Sequence, residues 1–246
     1  MRFAILGALG KMGRECVRVF GSEAAVLVDR RAEDTACLRT LAELAEDVPC
    51  DGVVDFSAPE ALSAVLDFCR RRTVPAVLAV TGYNEAQYAA IAAAAKEIPI
   101  LQSRNMSVGV HLLGRLCTLL AAATDSDVEI VETHHAAKRD APSGTALYLA
   151  DLVRAARGDG EYVYDRRSRG TRRKGEIGIH ALRGGSIVGE HTVHFFTQGE
   201  TLSLSHRAET RELFARGARA AAHFLCGKPP RLYTMEDLIE EKIGNA

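Results

Sequence analysis

The segment from Glu132 to Thr145, ETHHAAKRDAPSGT, places several titratable side chains in front of a helix-start signature. His134, His135 and Lys138 can each carry a positive charge or donate hydrogen bonds. Groups of this kind, gathered in one segment, suit a site that binds an anion and transfers a proton. The segment is therefore the first candidate for a catalytic site.

The end of this segment predicts the start of a helix. Ser143 precedes an apolar run over residues 146–156, interrupted by Asp151 and Arg154, and is a predicted N-cap. The first backbone amides of that helix, near Gly144 and Thr145, would point outward at the positive end of the helix dipole, where a carboxylate or phosphate fits. Gly144 has no Cβ and allows close approach.

Three other interpretations of the segment remain open. Ser-Gly-Thr before a helix is an ordinary cap, and adjacent histidines in a loop are usually solvated. A metal held by His134 and His135 is a further alternative, but neighbouring side chains of an extended segment point to opposite faces. None of the six cysteines lies nearby in sequence, and no metal is expected.

Composition narrows the class of protein. The chain has 246 residues, 47% hydrophobic and 26% charged, which is typical of a soluble globular protein. Its formal net charge of -1 gives no reason to expect a nucleic acid or an anionic membrane as partner. The scattered cysteines lack CxxC spacing and indicate reduced thiols in the cytoplasm. The N-terminus does not resemble a signal peptide, and no apolar run approaches the ~18 residues of a membrane span.

The N-terminal residues follow a strand–turn–helix–strand pattern. An apolar run, residues 3–6, ends in the glycine-rich turn 7–13, a helical stretch covers 14–20, and a second apolar run, 24–28, ends at Asp29. Such glycines let the backbone approach a pyrophosphate, and an acid about 20 residues onward accepts ribose hydroxyls. The pattern predicts dinucleotide binding, and the alternative is a glycine-rich turn used only for packing.

Two signals for the choice of coenzyme conflict. Asp29 favours NAD by bonding to the ribose hydroxyls and repelling a 2′-phosphate, whereas Arg30, Arg31 and Lys11 could bind that phosphate as cationic donors. We therefore predict that either NADH or NADPH is used.

Further strands at 52–56, 76–80 and 98–101 alternate with helical stretches, which predicts a parallel sheet that binds ligands beyond its carboxyl edge. The predicted coenzyme-binding residues are Gly7, Ala8, Leu9, Gly10, Lys11, Met12, Asp29, Arg30, Phe56, Ala79, Val80, Thr81, Ser103, Arg104, Asn105 and Met106.

The pattern changes after Asn105. A helix over 110–123, a strand over 128–132 and a second helix precede a strand-rich region over 177–207. Consecutive strands predict a mostly antiparallel sheet in a second domain. We expect an α/β protein with a dinucleotide-binding domain, 1–106 and 213–246, and a second domain, 107–212. The basic segment 166–174 could grip a nucleic acid or an acidic substrate, but its glycines and lack of apolar residues favour a solvated loop.

The chain resembles the 4-hydroxy-tetrahydrodipicolinate reductases, formerly called dihydrodipicolinate reductases, of the diaminopimelate route to lysine. The resemblance spans nearly the whole chain and is most specific in the string HHxxKxDAPSGT. The matching motifs are residues 7–13, 54–57, 81–82, 105–109, 132–145 and 177–191.

This resemblance implies a Rossmann-like domain built from both chain ends and an α+β substrate domain that forms a homotetramer through its sheet. It also implies that His134 is the general acid and Lys138 a second proton donor or an orienting cation. The implied substrate-carboxylate contacts are His135, Ser143, Gly144 and Thr145. The chain departs from the family at Lys11, where arginine is usual, and at Ala79-Val80, where Gly-Thr is typical. The second departure puts the contacts near the nicotinamide in doubt.

The implied reaction is hydride transfer from the nicotinamide to an unsaturated cyclic dicarboxylate, with a proton delivered to the product. Two other functions remain possible. A dehydrogenase of amino acids or sugars would share the glycine turn but would not need the cationic, helix-capped segment. A non-catalytic sensor of NAD(P)H would bind coenzyme without turnover.

Overall fold

The computed structural model describes residues 1–33 and 37–244, and the chain forms two compact units. The first comprises Met1–Val108 with Arg211–Ala246, and the second Gly109–Thr210.

The first unit is built on a sheet of six parallel strands in the order β11-β5-β4-β3-β1-β2. The strands are β1 (Phe3–Leu6), β2 (Ala24–Val28), β3 (Gly52–Asp55), β4 (Ala76–Leu78), β5 (Ile100–Gln102) and β11 (Leu232–Tyr233). β1 to β5 are short and rich in buried aliphatic residues, as expected for strands covered on both faces. The sheet confirms the predicted Rossmann-like α/β architecture.

Helices cover both faces of this sheet, and each face has its own apolar core. One core includes residues of α2 (Leu62–Arg72) and α3 (Glu85–Ala94). The other includes residues of α1 (Lys11–Phe20), α6 (Glu212–Leu225) and α7 (Met235–Gly244). The C-terminal segment belongs to this unit, because β11 pairs with β5 and α7 buries Leu238 and Ile239.

The second unit contains a five-stranded sheet in the order β10-β9-β6-β8-β7. The strands are β6 (Asp127–His134), β7 (Glu161–Val163), β8 (Glu176–Arg183), β9 (Gly189–Phe196) and β10 (Thr201–Ala208). β6 pairs antiparallel with β9 and parallel with β8. The sheet is therefore mixed, whereas the sequence predicted a mostly antiparallel one. The difference arises because β8 and β9, consecutive in the chain, do not pair: β6 lies between them.

Helices α4 (Val108–Ala123) and α5 (Gly144–Arg157) pack on one face of this sheet. Side chains alternate along β6, so Val128, Ile130, Glu132 and His134 are buried while their neighbours are half-buried or exposed. The opposite face presents Leu182 and Phe196, which are 50% and 41% exposed.

The basic segment 166–174 is mostly exposed, as expected for a solvated loop, but its two half-buried arginines are paired with carboxylates. Arg166 contacts Glu129 at 3.0 Å and Glu176 at 2.8 Å. Arg172 pairs with Glu129 and lies 2.9 Å from Asp127. The sequence pattern showed the arginines but not the carboxylates of β6 and β8 that fold beneath them.

Candidate active site

Strand β6 carries the centre of the candidate site. Glu132 and His134 are two residues apart and therefore point to the same, buried face of the strand. The His134 Nδ1 atom lies 2.6 Å from Glu132 Oε2. Since the carboxylate can only accept, Nδ1 carries the hydrogen of this bond and Nε2 is the nitrogen available for chemistry.

Arg183, at the end of β8, forms an ion pair with Glu132. Its two terminal nitrogens lie 2.8 Å from Glu132 Oε2 and 2.7 Å from Oε1. Ser143 adds a backbone N–H bond of 3.0 Å to Oε1. Burial would raise the pKa of Glu132, but the bonds from Arg183, His134 and Ser143 outweigh it and lower the pKa below its usual value. Glu132 is thus a buried carboxylate that stays ionised.

The His134 ring is shielded but not sealed, with 11% of its side chain exposed. Burial lowers the pKa of His134, and Glu132 opposes that shift. The positive charges of Lys138 and Arg183 lower the pKa further. The residue opposite Nε2 is Gly189, where an added Cβ would lie only 2.9 Å from that atom. A glycine at this position leaves room for the imidazole.

The start of α5 lies beside this histidine, as predicted. Ser143 is the N-cap and its Oγ accepts a 3.1 Å bond from the backbone amide of Ala146. The same Oγ lies 2.9 Å from Nε2 of His191, a buried residue of β9 that packs edge-on against His134 with ring centroids 5.2 Å apart. Ser143 is only 3% exposed. Its hydroxyl is therefore engaged by the protein itself.

The remaining predicted residues of the segment surround this core. Lys138 Nζ lies 2.8 and 2.9 Å from the two oxygens of Asp140. His135 is half-buried, and its backbone amide bonds to the Ile187 carbonyl at 2.8 Å. Gly144 is exposed, with open space where a Cβ would stand. An anion could therefore approach the first turn of α5 at Gly144.

Sequence reasoning gave no role to Glu132, Arg183 or His191. Glu132 could have been recognised, because its spacing from His134 on a strand places both on one face. Arg183 and His191 follow in the motif 177–191, but only the pairing of β8 and β9 with β6 brings them to Glu132.

The first unit has a concave pocket at the carboxyl edge of its sheet. It is lined by residues of the glycine turn and of the loops after β2 and β3, among them Gly7, Gly10, Asp29, Arg30, Phe56 and Ser57. Five of the predicted coenzyme residues outside this lining are buried: Ala8, Ala79, Val80, Ser103 and Met106. Arg39, Thr40 and Leu41 line the pocket but lacked any sequence signal.

Asp29 at the end of β2 is already saturated with hydrogen bonds. Oδ1 accepts from the Arg31 backbone amide at 3.0 Å and from its Nε at 2.9 Å. Oδ2 accepts from the Leu9 amide at 3.0 Å and from Arg31 Nη2 at 2.9 Å. The Arg31 guanidinium, with the two amides, lowers the pKa of Asp29 far below its usual value.

Within residues 1–33 and 37–244, no group of three or more His, Cys, Asp or Glu side chains is arranged to hold a metal ion. No helix in the same part of the chain is long and apolar enough to cross a membrane.

Comparison with known proteins decides the family. Residues 1–106 match the model of the dihydrodipicolinate reductase N-terminus, and residues 109–239 match that of the C-terminus. The chain belongs to the dihydrodipicolinate reductase family. A 4-hydroxy-tetrahydrodipicolinate reductase of Caldanaerobacter subterraneus subsp. tengcongensis is 42% identical, with 98% of this chain and 99% of that relative covered. One from Clostridium tetani is 39% identical, with 97% of both chains covered.

Solved structures agree at the level of fold. A dipicolinate-bound dihydrodipicolinate reductase from Paenisporosarcina superposes with a TM-score of 0.80 at 23% identity, covering 95% of this chain and 97% of the other. A probable dehydrogenase from Thermotoga maritima gives 0.63 at 13% identity, covering 97% and 92%. Membership of the dihydrodipicolinate reductase family makes the chain an oxidoreductase with a pyridine-nucleotide-binding N-terminal half, and it confirms the resemblance carried by the motifs.

Proposed function

We propose that this protein uses NADH or NADPH to reduce 4-hydroxy-tetrahydrodipicolinate, by way of dihydrodipicolinate, to tetrahydrodipicolinate in the diaminopimelate pathway. One observation carries the proposal: a buried ion pair, Glu132 with Arg183, orients a histidine beside a lysine and an exposed helix start. This arrangement can grip carboxylates and deliver a proton.

The pocket of the first unit fits a dinucleotide. A Cβ at Gly7 would lie 2.7 Å from the Phe56 carbonyl oxygen, and one at Gly13 would lie 1.9 Å from the Gly7 carbonyl oxygen. Positions 7 and 13 of the turn are therefore packed too closely for a side chain, and glycines there let the backbone lie close to a ligand. The backbone of this turn, with Arg30 and Phe56, would hold the coenzyme, which supplies the hydride when bound. Asp29 would have to exchange a bond from Arg31 for one from a ribose hydroxyl.

His134 would deliver the proton from Nε2. Its pKa is lowered in the free protein, chiefly by burial. The negative charges of a dicarboxylate bound nearby would favour the imidazolium and raise that pKa. Glu132 stabilises the charged ring, so His134 would become an acid when the substrate arrives.

The carboxylates of the substrate would be held by His135, by the first turn of α5 at Gly144 and Thr145, and by Lys138. Lys138 would have to exchange its contact with Asp140 for a contact with the substrate. Ser143 would contribute as the cap that presents this turn, because its hydroxyl already contacts Ala146 and His191.

We assign coenzyme binding to 1–106 and 213–246, and substrate binding and assembly to 107–212. A homotetramer formed through the uncovered face of the second sheet is supported by Leu182 and Phe196, which leave apolar area on that face. A cytoplasmic location is supported by the six cysteines, all of them free thiols.

Single-turnover oxidation of NADPH with freshly generated substrate tests the activity. Fast oxidation that depends on this substrate is expected, whereas coenzyme binding without oxidation would indicate a sensor.

Pyridine-2,6-dicarboxylate should raise the melting temperature of this protein, whereas a dehydrogenase of amino acids or sugars would not be stabilised by it. Sedimentation equilibrium tests the tetramer.

A further inference from the structure

Asp55 is a buried carboxyl group for which the proposed reaction gives no role. It ends β3, in register with Leu6 on β1 and Leu78 on β4, and it is 0% exposed. Its position is the carboxyl edge of the sheet, where the coenzyme pocket lies.

One oxygen of Asp55 holds the turn that follows β3. Oδ1 accepts from the Ser57 backbone amide at 2.8 Å and from the Ser57 hydroxyl at 2.5 Å. Phe56 and Ser57 line the same pocket as Gly7 and Gly10. The Phe56 carbonyl is also the group that a Cβ at Gly7 would strike. The contact of Asp55 with Ser57 therefore fixes a turn that packs directly on the glycine loop.

The other oxygen, Oδ2, is buried and has no hydrogen-bond partner among the described residues. The hydroxyl of Tyr83, in the loop after β4, is likewise buried and unpartnered there. Two titratable groups interact electrostatically with Asp55: Tyr83 and, on α2, Cys69. Burial is the main cause that raises the pKa of each, and a negative charge on Asp55 would raise both further. Among the described residues, the groups that favour the charged form of Asp55 are the two donors of Ser57. Burial outweighs these donors and raises the pKa of Asp55.

The hydrogen-bond count favours a neutral acid over an ionised one. In a protonated carboxyl group the carbonyl oxygen keeps two lone pairs, and Ser57 supplies two donors to Oδ1. The hydroxyl oxygen would then be Oδ2, whose O–H has no acceptor among the described residues. An unpaired neutral donor costs less than an unpaired buried charge. An ionised carboxylate would leave Oδ2 charged and unpaired inside the apolar core, which is strongly unfavourable.

We propose that Asp55 is a positioning residue that acts as an uncharged acid and holds the Phe56-Ser57 turn in the shape that receives the coenzyme. The proposal rests on the proposed function, since it requires NADH or NADPH to bind in this pocket. A neutral group at this edge also avoids repelling the phosphates of the coenzyme.

The substitutions Asp55→Asn and Asp55→Ala separate this role from others. Asparagine keeps a carbonyl oxygen for both donors of Ser57 without a charge, whereas alanine removes the acceptor. We expect Asp55→Ala to raise the Kd and KM for NADPH about tenfold, as loss of these bonds predicts, while kcat and the KM for the dicarboxylate substrate change less than about twofold. Asp55→Asn should keep all four constants within about twofold of the wild type.

Ser57→Ala is the second variant and serves if Asp55→Ala does not fold. It removes only the 2.5 Å hydroxyl bond and should weaken NADPH binding by about threefold, roughly the effect of one hydrogen bond. Ser63→Ala, whose exposed hydroxyl lies 3.5 Å from Asp67 on α2, is the matched control and should change nothing.

Fluorescence titration with NADPH distinguishes the possible failures. A wild-type protein that binds neither coenzyme would defeat the proposed function itself. If the wild type binds NADPH but Asp55→Ala or Ser57→Ala binds it equally well, Asp55 has no positioning role. If Asp55→Asn loses affinity as far as Asp55→Ala does, a charged carboxylate is required and the inference is wrong.

Discussion

Arg183 contacts both carboxylate oxygens of Glu132, at 2.7 and 2.8 Å, from the neighbouring strand of a parallel pair. The same carboxylate accepts a 2.6 Å hydrogen bond from Nδ1 of His134. Glu132 is 0% exposed, so this is a buried ion pair that also orients an imidazole. Paired charges in such a site hold geometry, and removing one partner leaves the other unbalanced.

Glu132→Gln should lower kcat by about 10² while changing the KM for NADPH little, because the amide can offer its NH2 group to His134 and cannot stabilise the imidazolium. Steady-state kinetics at saturating coenzyme measures this. Glu161→Gln is the control, since Glu161 pairs with Arg169 at the protein surface. A normal kcat in a folded Glu132→Gln protein would remove Glu132 from the site.

His134→Ala should lower kcat by roughly 10² to 10⁴ with a smaller rise in KM, because the proton donor is lost but the anion contacts remain. Lys138→Ala should damage both constants. The wild-type kcat should fall as pH rises through the pKa of His134 in the complex, since the acid must be protonated. The decline with pH should disappear in His134→Ala. An unchanged kcat in that variant would refute the assignment.

Arg31→Ala should shift the coenzyme preference toward NADH. The Arg31 guanidinium donates two of the four hydrogen bonds to the Asp29 side-chain oxygens. Its removal would free the Asp29 carboxylate for the ribose hydroxyls and would remove a cation that could bind a 2′-phosphate. The ratio of kcat/KM for NADPH to that for NADH should fall about tenfold, the equivalent of about 1.4 kcal/mol. The control is Arg14→Ala, because Arg14 lies on α1 and does not line the pocket of the first unit. A constant ratio would show that the ion pair does not control coenzyme choice.

His191 should make folding sensitive to acid. Burial, with the positive charge of His134 as a smaller cause, lowers the pKa of His191 to about 3, well below the value of about 6.5 in an unfolded chain. Between these values the unfolded chain binds the extra proton, so the unfolding free energy falls as pH drops below about 6.5, by at most about 1.4 kcal/mol per pH unit.

Urea unfolding of His191→Gln from pH 7 to pH 4 checks this. The variant should lose less stability per pH unit than the wild type. His194→Gln, in which the substituted residue lies on the opposite face of the same strand, should keep the wild-type slope. Equal slopes in all three proteins would contradict the assignment of a neutral, buried His191.

Local patterns in the sequence predicted much of the fold. The glycine turn, the apolar runs and the acid at position 29 specify a strand–helix–strand unit, because each depends on residues close together in the chain. Ser143 was predicted as a cap for the same reason, and its Oγ accepts the expected bond from Ala146. The motif 132–145 also predicted the family, which the comparisons confirm.

The sequence left the pairing of the second sheet and the partners of its charged residues undetermined. The alternation of apolar and polar residues predicted strands within residues 177–207, but this pattern does not determine which strand pairs with which. The order β9-β6-β8 depends on long-range packing against α4 and α5, and it alone brings Arg183 and His191 to Glu132.

The sequence by itself therefore determined the nucleotide-binding unit and the helix cap, and it indicated the segment proposed for acid–base chemistry, since local chemistry dictates each of these patterns. Only the tertiary structure decided that Glu132 is ionised, that Asp29 is saturated by Arg31 and that Asp55 is sealed inside the core. Ionisation and hydrogen-bond saturation depend on burial and on partners distant in the chain, and these exist only once the strands have assembled.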